Sequence, residues 1–169
     1  MRTLYVMCGL SFSGKSTLAR EVARATGAEL VSLDDLNAER GLYGGDGIPV
    51  EEWERTSQLA NERLRALAPS GRDVVLDDTS CYRWLRDRWR ERAASVGYAA
   101  RLVWVDVPPE TILRRREQSE RSADRRGIRD SVFAAHAESF ERPQEDEAAA
   151  RYDGAVPARE WVERYVTGR

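Results

Sequence analysis

Lysine is all but missing from these 169 residues: of 27 basic side chains 26 are arginine, and Lys15 stands alone. Cysteine is scarce too. Cys8 and Cys81 are too few for a disulfide framework, which fits reduced thiols inside a cell. There is one histidine, His136; alone on a predicted helix, it is read as structural and not catalytic. No apolar run approaches the length that spans a membrane, and the N-terminus leads into a predicted strand without a signal sequence. The expectation is a cytoplasmic protein with no membrane partner. Nor is there an excess of positive charge. A net charge of −2 and a pI near 5.6 exclude a global attraction to nucleic acid, leaving only local arginine clusters to hold phosphates. Internal repeats and low-complexity segments are also absent. What remains, 41% hydrophobic and 33% charged residues, suffices for one domain over 1–169 with a proper core.

The stretch Gly9–Thr17, reading GLSFSGKST, fits G-x-x-x-x-G-K-[ST]. Apolar Leu4–Cys8 precedes it at strand length, and Leu18–Arg24 follows as the opening of a helix. Strand, glycine loop and helix in that order make a phosphate site. A helix N-terminus leaves N–H groups unpaired and carries partial positive charge, while Gly9 and Gly14 let the backbone wrap an anion. The nucleotide-binding set is therefore Gly9, Ser11, Ser13, Gly14, Lys15, Ser16 and Thr17. Lys15 is expected on the β- and γ-phosphates and the Ser16 hydroxyl on Mg²⁺. The arginine bias fits the base composition of a genome. Lysine kept where a compact charge on a flexible stem suits a phosphate supports a working site.

Strand and helix continue to alternate. The first helix stops near Gly27, a residue suited to a helix C-terminus. Ala28–Leu33 reads as a second strand ending in Asp34-Asp35, and carboxylates there sit where ligands bind in an open α/β sheet. Capping of a short helix over Leu36–Arg40 is the alternative for one of them. Gly41–Ile48 is a glycine-rich loop near the acceptor side. Val50, Trp53, Ser57, Ala60, Leu64 and Leu67 form a helical stripe, with Trp53 read as core in preference to an acceptor pocket. Arg72–Asp78 is a third strand whose Asp77 is expected on Mg²⁺ or its water shell, with Thr79 and Ser80 capping the next helix. That helix, Tyr82–Val96, puts Tyr82, Leu85, Trp89, Ala93 and Val96 on one side. Arg83, Arg86, Asp87, Arg90 and Glu91 take the other, a solvated face of arginine–acid pairs in preference to a nucleic-acid face.

Ala99–Val105 is a fourth strand. Thr111–Arg116 opens a helix into a charged stretch holding Arg121, Arg125, Arg126 and Arg129, with Gly127 as a break. It is read as a lid over about 114–130, closing on nucleotide phosphates and excluding water, in preference to a linker. A helix over Ser131–Phe140 follows, then an acidic helix over Pro143–Ala150 and a fifth strand over Tyr152–Val156. A closing helix over Pro157–Val166 turns Trp161, Val162 and Tyr165 inward.

Five strands alternating with helices give an α/β fold with a mostly parallel sheet covered on both faces; with the loop, this is a P-loop NTPase fold. To about residue 150 the chain resembles the small P-loop kinases typified by polynucleotide 5′-hydroxyl kinase domains and by related kinases of small molecules. The likeness rests on GLSFSGKST, Asp34-Asp35, Val74–Thr79 and Asp106-Val107-Pro108 before an arginine-rich lid. It implies Asp34 as general base on the acceptor hydroxyl. It also implies Arg115, with one of Arg121, Arg125 or Arg126, as lid arginines on the donor phosphates. Lys15, Asp34, Arg115 and Arg125 form the implied catalytic set, with Arg121 on the nucleotide and Ser16 and Asp77 on the metal.

Members of that family tend to carry an arginine three residues after the base, to hold an acceptor phosphate. Here that position is Asn37, with Arg40 one turn further on, which weakens the case for a nucleic-acid acceptor. Adenylate kinases would need their own acceptor arginines. Shikimate-type kinases would show a three-glycine stretch after strand three, where this chain has Asp77-Asp78-Thr79-Ser80. Antibiotic-modifying phosphotransferases share the loop and the aspartate after strand two. The function implied is transfer of the γ-phosphate of ATP, with Mg²⁺, to a hydroxyl of a small molecule, with a polynucleotide 5′-end slightly behind. The alternative is a nucleotide-hydrolysing switch with water as acceptor.

Overall fold

Both faces of the first strand are apolar. In β1 (Arg2–Cys8), Leu4, Val6 and Cys8 join one buried cluster while Tyr5 and Met7 join another, the pattern of a strand covered on both sides. The computed structural model describes residues 2–43, 47–122 and 130–168, without side chains for 120–122 and 130. β1 is the centre of a five-stranded sheet in the order β2-β3-β1-β4-β5, with β2 spanning Glu29–Ser32, β3 Val74–Asp77, β4 Tyr98–Val105 and β5 Ala150–Tyr152. All pairings are parallel.

Helices cover each face. Leu33 and Leu36 of α2 (Leu33–Glu39), Ala60 and Leu64 of α3 (Val50–Leu67) and Trp89 and Ala93 of α4 (Arg83–Ser95) complete the first cluster. Leu18 and Val22 of α1 (Lys15–Thr26), Ile112 of α5 (Pro109–Ser122) and Trp161 and Val162 of α7 (Ala158–Val162) complete the second. The remaining helix, α6, runs Asp130–Ser139. No helix among the described residues is long and apolar enough to cross a membrane. Because every strand points the same way, all their carboxyl ends share one edge, the edge where open α/β sheets bind ligands. The register Val6↔Leu76 and Ser32↔Asp77 brings the exits of β1, β2 and β3 together there.

Several element boundaries differ from expectation, each for a local reason. Strand two stops at Ser32, whose side chain accepts the Asp35 N–H and caps α2; Asp34 and Asp35 stand in the first turn of that helix and are not its cap. Thr79 and Ser80 do not cap α4, which starts after Tyr82 without a side-chain cap; both lie before the cap position, in a turn where their hydroxyls donate to Asp78. Val50 lies 78% exposed at the start of α3, where Thr56, Ser57, Ala60 and Leu64 are the buried residues; Trp53 packs on the core. The fifth strand is Ala150–Tyr152 and not 152–156. Asp153 Oδ1 accepts the Ala155 N–H at 2.9 Å and so closes a turn there. In place of an acidic helix over 143–150, only Glu145–Glu147 coils, as a 3₁₀ turn. Tyr165 is 48% exposed, not inward, beyond the end of α7.

The largest departure is Arg86. Expected on a solvated face, it is 1% exposed. Its Nε and Nη2 grip both carboxylate oxygens of Glu147 at 2.7 and 2.8 Å, and that pull explains why Glu147 turns inward. Burial alone raises the Glu147 carboxyl, but Arg86, the Gln144 amide and Arg90 outweigh it and hold the pKa down at about 2. A carboxylate depressed in the folded state adds stability above its unfolded pKa and loses it as pH falls through the folded one. The unfolding free energy of the wild type is therefore expected to drop between pH 4.5 and about 2. Denaturant melts at stepped pH are expected to show a shallower drop in Glu147→Gln, which starts from lower stability because Arg86 is left buried and unpaired.

Candidate active site

β1 delivers the chain into the glycine loop with no room to spare. A Cβ on Gly9 would lie 2.8 Å from the Val105 carbonyl oxygen and 3.2 Å from Ser13 Oγ. The Gly9 N–H instead donates to the Thr79 carbonyl at 3.1 Å, joining the loop to the turn after β3. Phe12 holds φ +64 and Gly14 φ +93, turning the backbone so that α1 begins at Lys15. That helix has no side-chain cap and no acidic residue in its first turn, so the unpaired N–H groups and positive end of its dipole stay available to an anion. Ser13 is buried and its Oγ has no hydrogen-bond partner among the described residues.

Lys15 reaches across this loop to Asp77, Nζ to Oδ1 3.4 Å, with both side chains nearly buried. Asp78 follows. Burial raises its carboxyl, opposed by Lys15 and by hydrogen bonds from its own turn: Thr79 N–H to Oδ1 at 2.8 Å and Ser80 hydroxyl to Oδ2 at 3.2 Å. Sequence reasoning assigned no role to Asp78; the signal available was the doubled aspartate after the strand. Burial also pushes the Cys8 thiol up to about 12 and Cys81 up to about 11, so both stay protonated beside the loop.

Arg115, from α5, lies over the loop. Its Nη1 donates to the Ser13 carbonyl and sits 2.7 Å from where a Gly14 Cβ would be. Asp34 is exposed in the first turn of α2, two residues beyond the register partner of Asp77. The structure thus brings Gly9, Ser11, Ser13, Gly14, Lys15, Ser16, Asp77 and Arg115 together and puts Asp34 on the same sheet edge. Thr17, in the first turn of α1, is exposed. Arg125, Arg126, Arg129 and Gly127 lie outside the described residues, as do Gly44, Gly45 and Asp46; the Arg121 side chain does too. Asn37 is 2% exposed and accepts the Thr56 hydroxyl. Arg40 is committed to Glu52 and Thr56.

This geometry fits a nucleotide phosphate and its cation. The loop admits no Cβ at Gly9, an orphaned hydroxyl lies within it, and Ser16, Asp77 and Asp78 are the hard oxygen donors that Mg²⁺ prefers. Residues 4–143 match the family model AAA_33, an AAA domain. The chain belongs to that family. Two curated relatives are similar to this AAA-domain chain. One is a tRNA dimethylallyltransferase of Chlorobium luteolum (strain DSM 273 / BCRC 81028 / 2530), 32% identical over 129 residues, 72% of this chain and 42% of that protein. The other is the thermosensitive gluconokinase of Escherichia coli (strain K12), 27% identical over 146 residues, 85% of this chain and 74% of that one. The chain thus spans less than half the length of the first. Among solved structures, an unliganded sugar kinase from Janibacter sp. HTCC2649 superposes with a TM-score of 0.69 at 25% identity, over 99% of this chain and 93% of that one. The fold is that of the small P-loop kinases.

The Val105 carbonyl is main chain and cannot yield to an added methyl. Gly9→Ala is therefore expected to lower stability by about 1–3 kcal/mol and to weaken Mg·ATP binding at least ~10-fold as the loop shifts off β4. Thermal melts and titration calorimetry read the two effects.

Proposed function

We propose that this AAA-domain chain is an ATP-dependent phosphotransferase that moves the γ-phosphoryl group of ATP·Mg to a hydroxyl of a small polyhydroxylated molecule, acting as one domain over 1–169 in the cytoplasm. The observation that carries the reading is the uncapped, acid-free N-terminus of α1 behind a loop with Lys15 at its mouth. Loop amides and Lys15 hold the phosphates, and Arg115, already over the loop, balances charge on the transferring group. One of Arg121, Arg125 or Arg126 is the further arginine that the family resemblance assigns to the donor phosphates. Ser16 and Asp77 would hold Mg²⁺, which when bound neutralises phosphate charge. Asp34 orients the acceptor hydroxyl and takes its proton as that oxygen bonds to the γ-phosphorus. The bond to the bridging oxygen breaks, and ADP leaves with the electron pair.

The small-molecule acceptor is favoured over a polynucleotide 5′-end by α2. Position 37 is a buried asparagine, and the nearest arginine, Arg40, is tied to Glu52, so neither extends a cation toward an acceptor phosphate. Similarity to a gluconokinase and a sugar kinase supports a polyol or sugar acid.

A γ-phosphate transfer screen over sugar acids, polyols, nucleosides and oligonucleotides tests this. Transfer to a small polyol is the expected result; slow phosphate release with every acceptor would establish the switch instead. Asp34→Asn is expected to keep ATP binding nearly intact while turnover falls about 10²–10⁴-fold. Equal loss of both would remove Asp34 from the reaction. Lys15→Ala is expected to weaken nucleotide binding and abolish transfer, read by calorimetry and the same assay.

A further inference from the structure

We infer that the buried Arg86–Glu147 pair is a positioning device for nucleotide binding, acting through the Ser80 carbonyl on the turn that grips the entrance to the phosphate loop. This rests on the phosphotransferase reading of that loop.

Consecutive carbonyls of the turn hold consecutive residues at the end of β1. Thr79 O accepts the Gly9 N–H at 3.1 Å and Ser80 O accepts the Cys8 thiol at 3.6 Å. The same turn wraps the Asp78 carboxylate. Ser80 reaches this position with φ +44, a left-handed conformation that a serine adopts at a cost, so something must hold it. Arg86 does. Its Nη1 donates to the Ser80 carbonyl and to the Glu141 carbonyl, both at 3.0 Å, while Nε and Nη2 are locked on Glu147. Glu147 is in turn fixed by the Gln144 N–H at 3.0 Å and by Arg90 at 3.2 Å. The Glu141 N–H donates to the Cys81 carbonyl at 2.9 Å, which stitches the segment after α6 to the same turn.

Only a planar, multiply donating guanidinium can serve two carbonyls and one carboxylate at once. Stability alone does not call for such a group, since a buried ion pair is often replaced by apolar residues at no loss. What the apolar replacement removes is the grip on Ser80.

Titration calorimetry of Mg·ATP into the intact protein tests the inference. The double variant Arg86→Met/Glu147→Leu keeps volume without a buried charge and is expected to bind Mg·ATP roughly 10- to 100-fold more weakly, the usual loss when a supporting group behind a ligand site is removed. Arg86→Lys keeps a cation beside Glu147 but gives up the planar fork that also serves the Ser80 carbonyl, and a smaller loss in the same direction is expected. Arg83→Gln, which breaks only exposed pairs with Asp146 and Asp87, is expected to bind as the wild type does. Wild-type affinity in a folded double variant would mark the pair as structural only and overturn the inference. If the double variant does not fold, wild-type affinity in Arg86→Lys overturns it. No binding by the unaltered protein would instead overturn the phosphotransferase reading itself.

Discussion

The absence of a single methyl group governs the site. Gly9 is where β1 ends, where the loop starts, and where the Val105 carbonyl and the Ser13 hydroxyl close in from two sides. Because nothing projects from Gly9, its amide can reach the Thr79 carbonyl, and β1, β3 and β4 meet the loop at fixed heights. The sheet's register then does the rest. Parallel pairing through Val6↔Leu76 and Ser32↔Asp77 places a helix dipole, a lysine and aspartates on one edge without long-range folding of loops.

Charge at that edge is arranged in opposing pairs. Lys15 leans on Asp77 and lowers the Asp78 carboxyl against the burial that raises it. Arg115 rests on main chain over the loop, donating to the Ser13 carbonyl.

The loop and the order of elements were legible in the sequence because they depend on short-range rules: GLSFSGKST, the apolar strands, and Gly27 past the end of α1. Asp77 was singled out for the same reason, as the residue closing an apolar strand; Arg115 was singled out through the family resemblance, and it stands within α5 over the loop. Arg86 was not legible. Its position on α4 reads as polar surface, and only the tertiary approach of Glu147, sixty-one residues on, makes it core. Asp153–Val156 misled in the other direction: an apolar Ala155-Val156 suggests a strand, but a local carboxylate–amide bond turns the chain first. Long-range ion pairing and side-chain capping outweigh propensity in both cases.

Lys15 has one more property that follows from its solitude. These 169 residues contain a single ε-amino group, and it is nearly enclosed beside Asp77. An acylating reagent that consumes side-chain amines has one address here. How fast that address is labelled reports, without any engineered tag, whether the lysine is docked on its carboxylate or drawn out toward solvent.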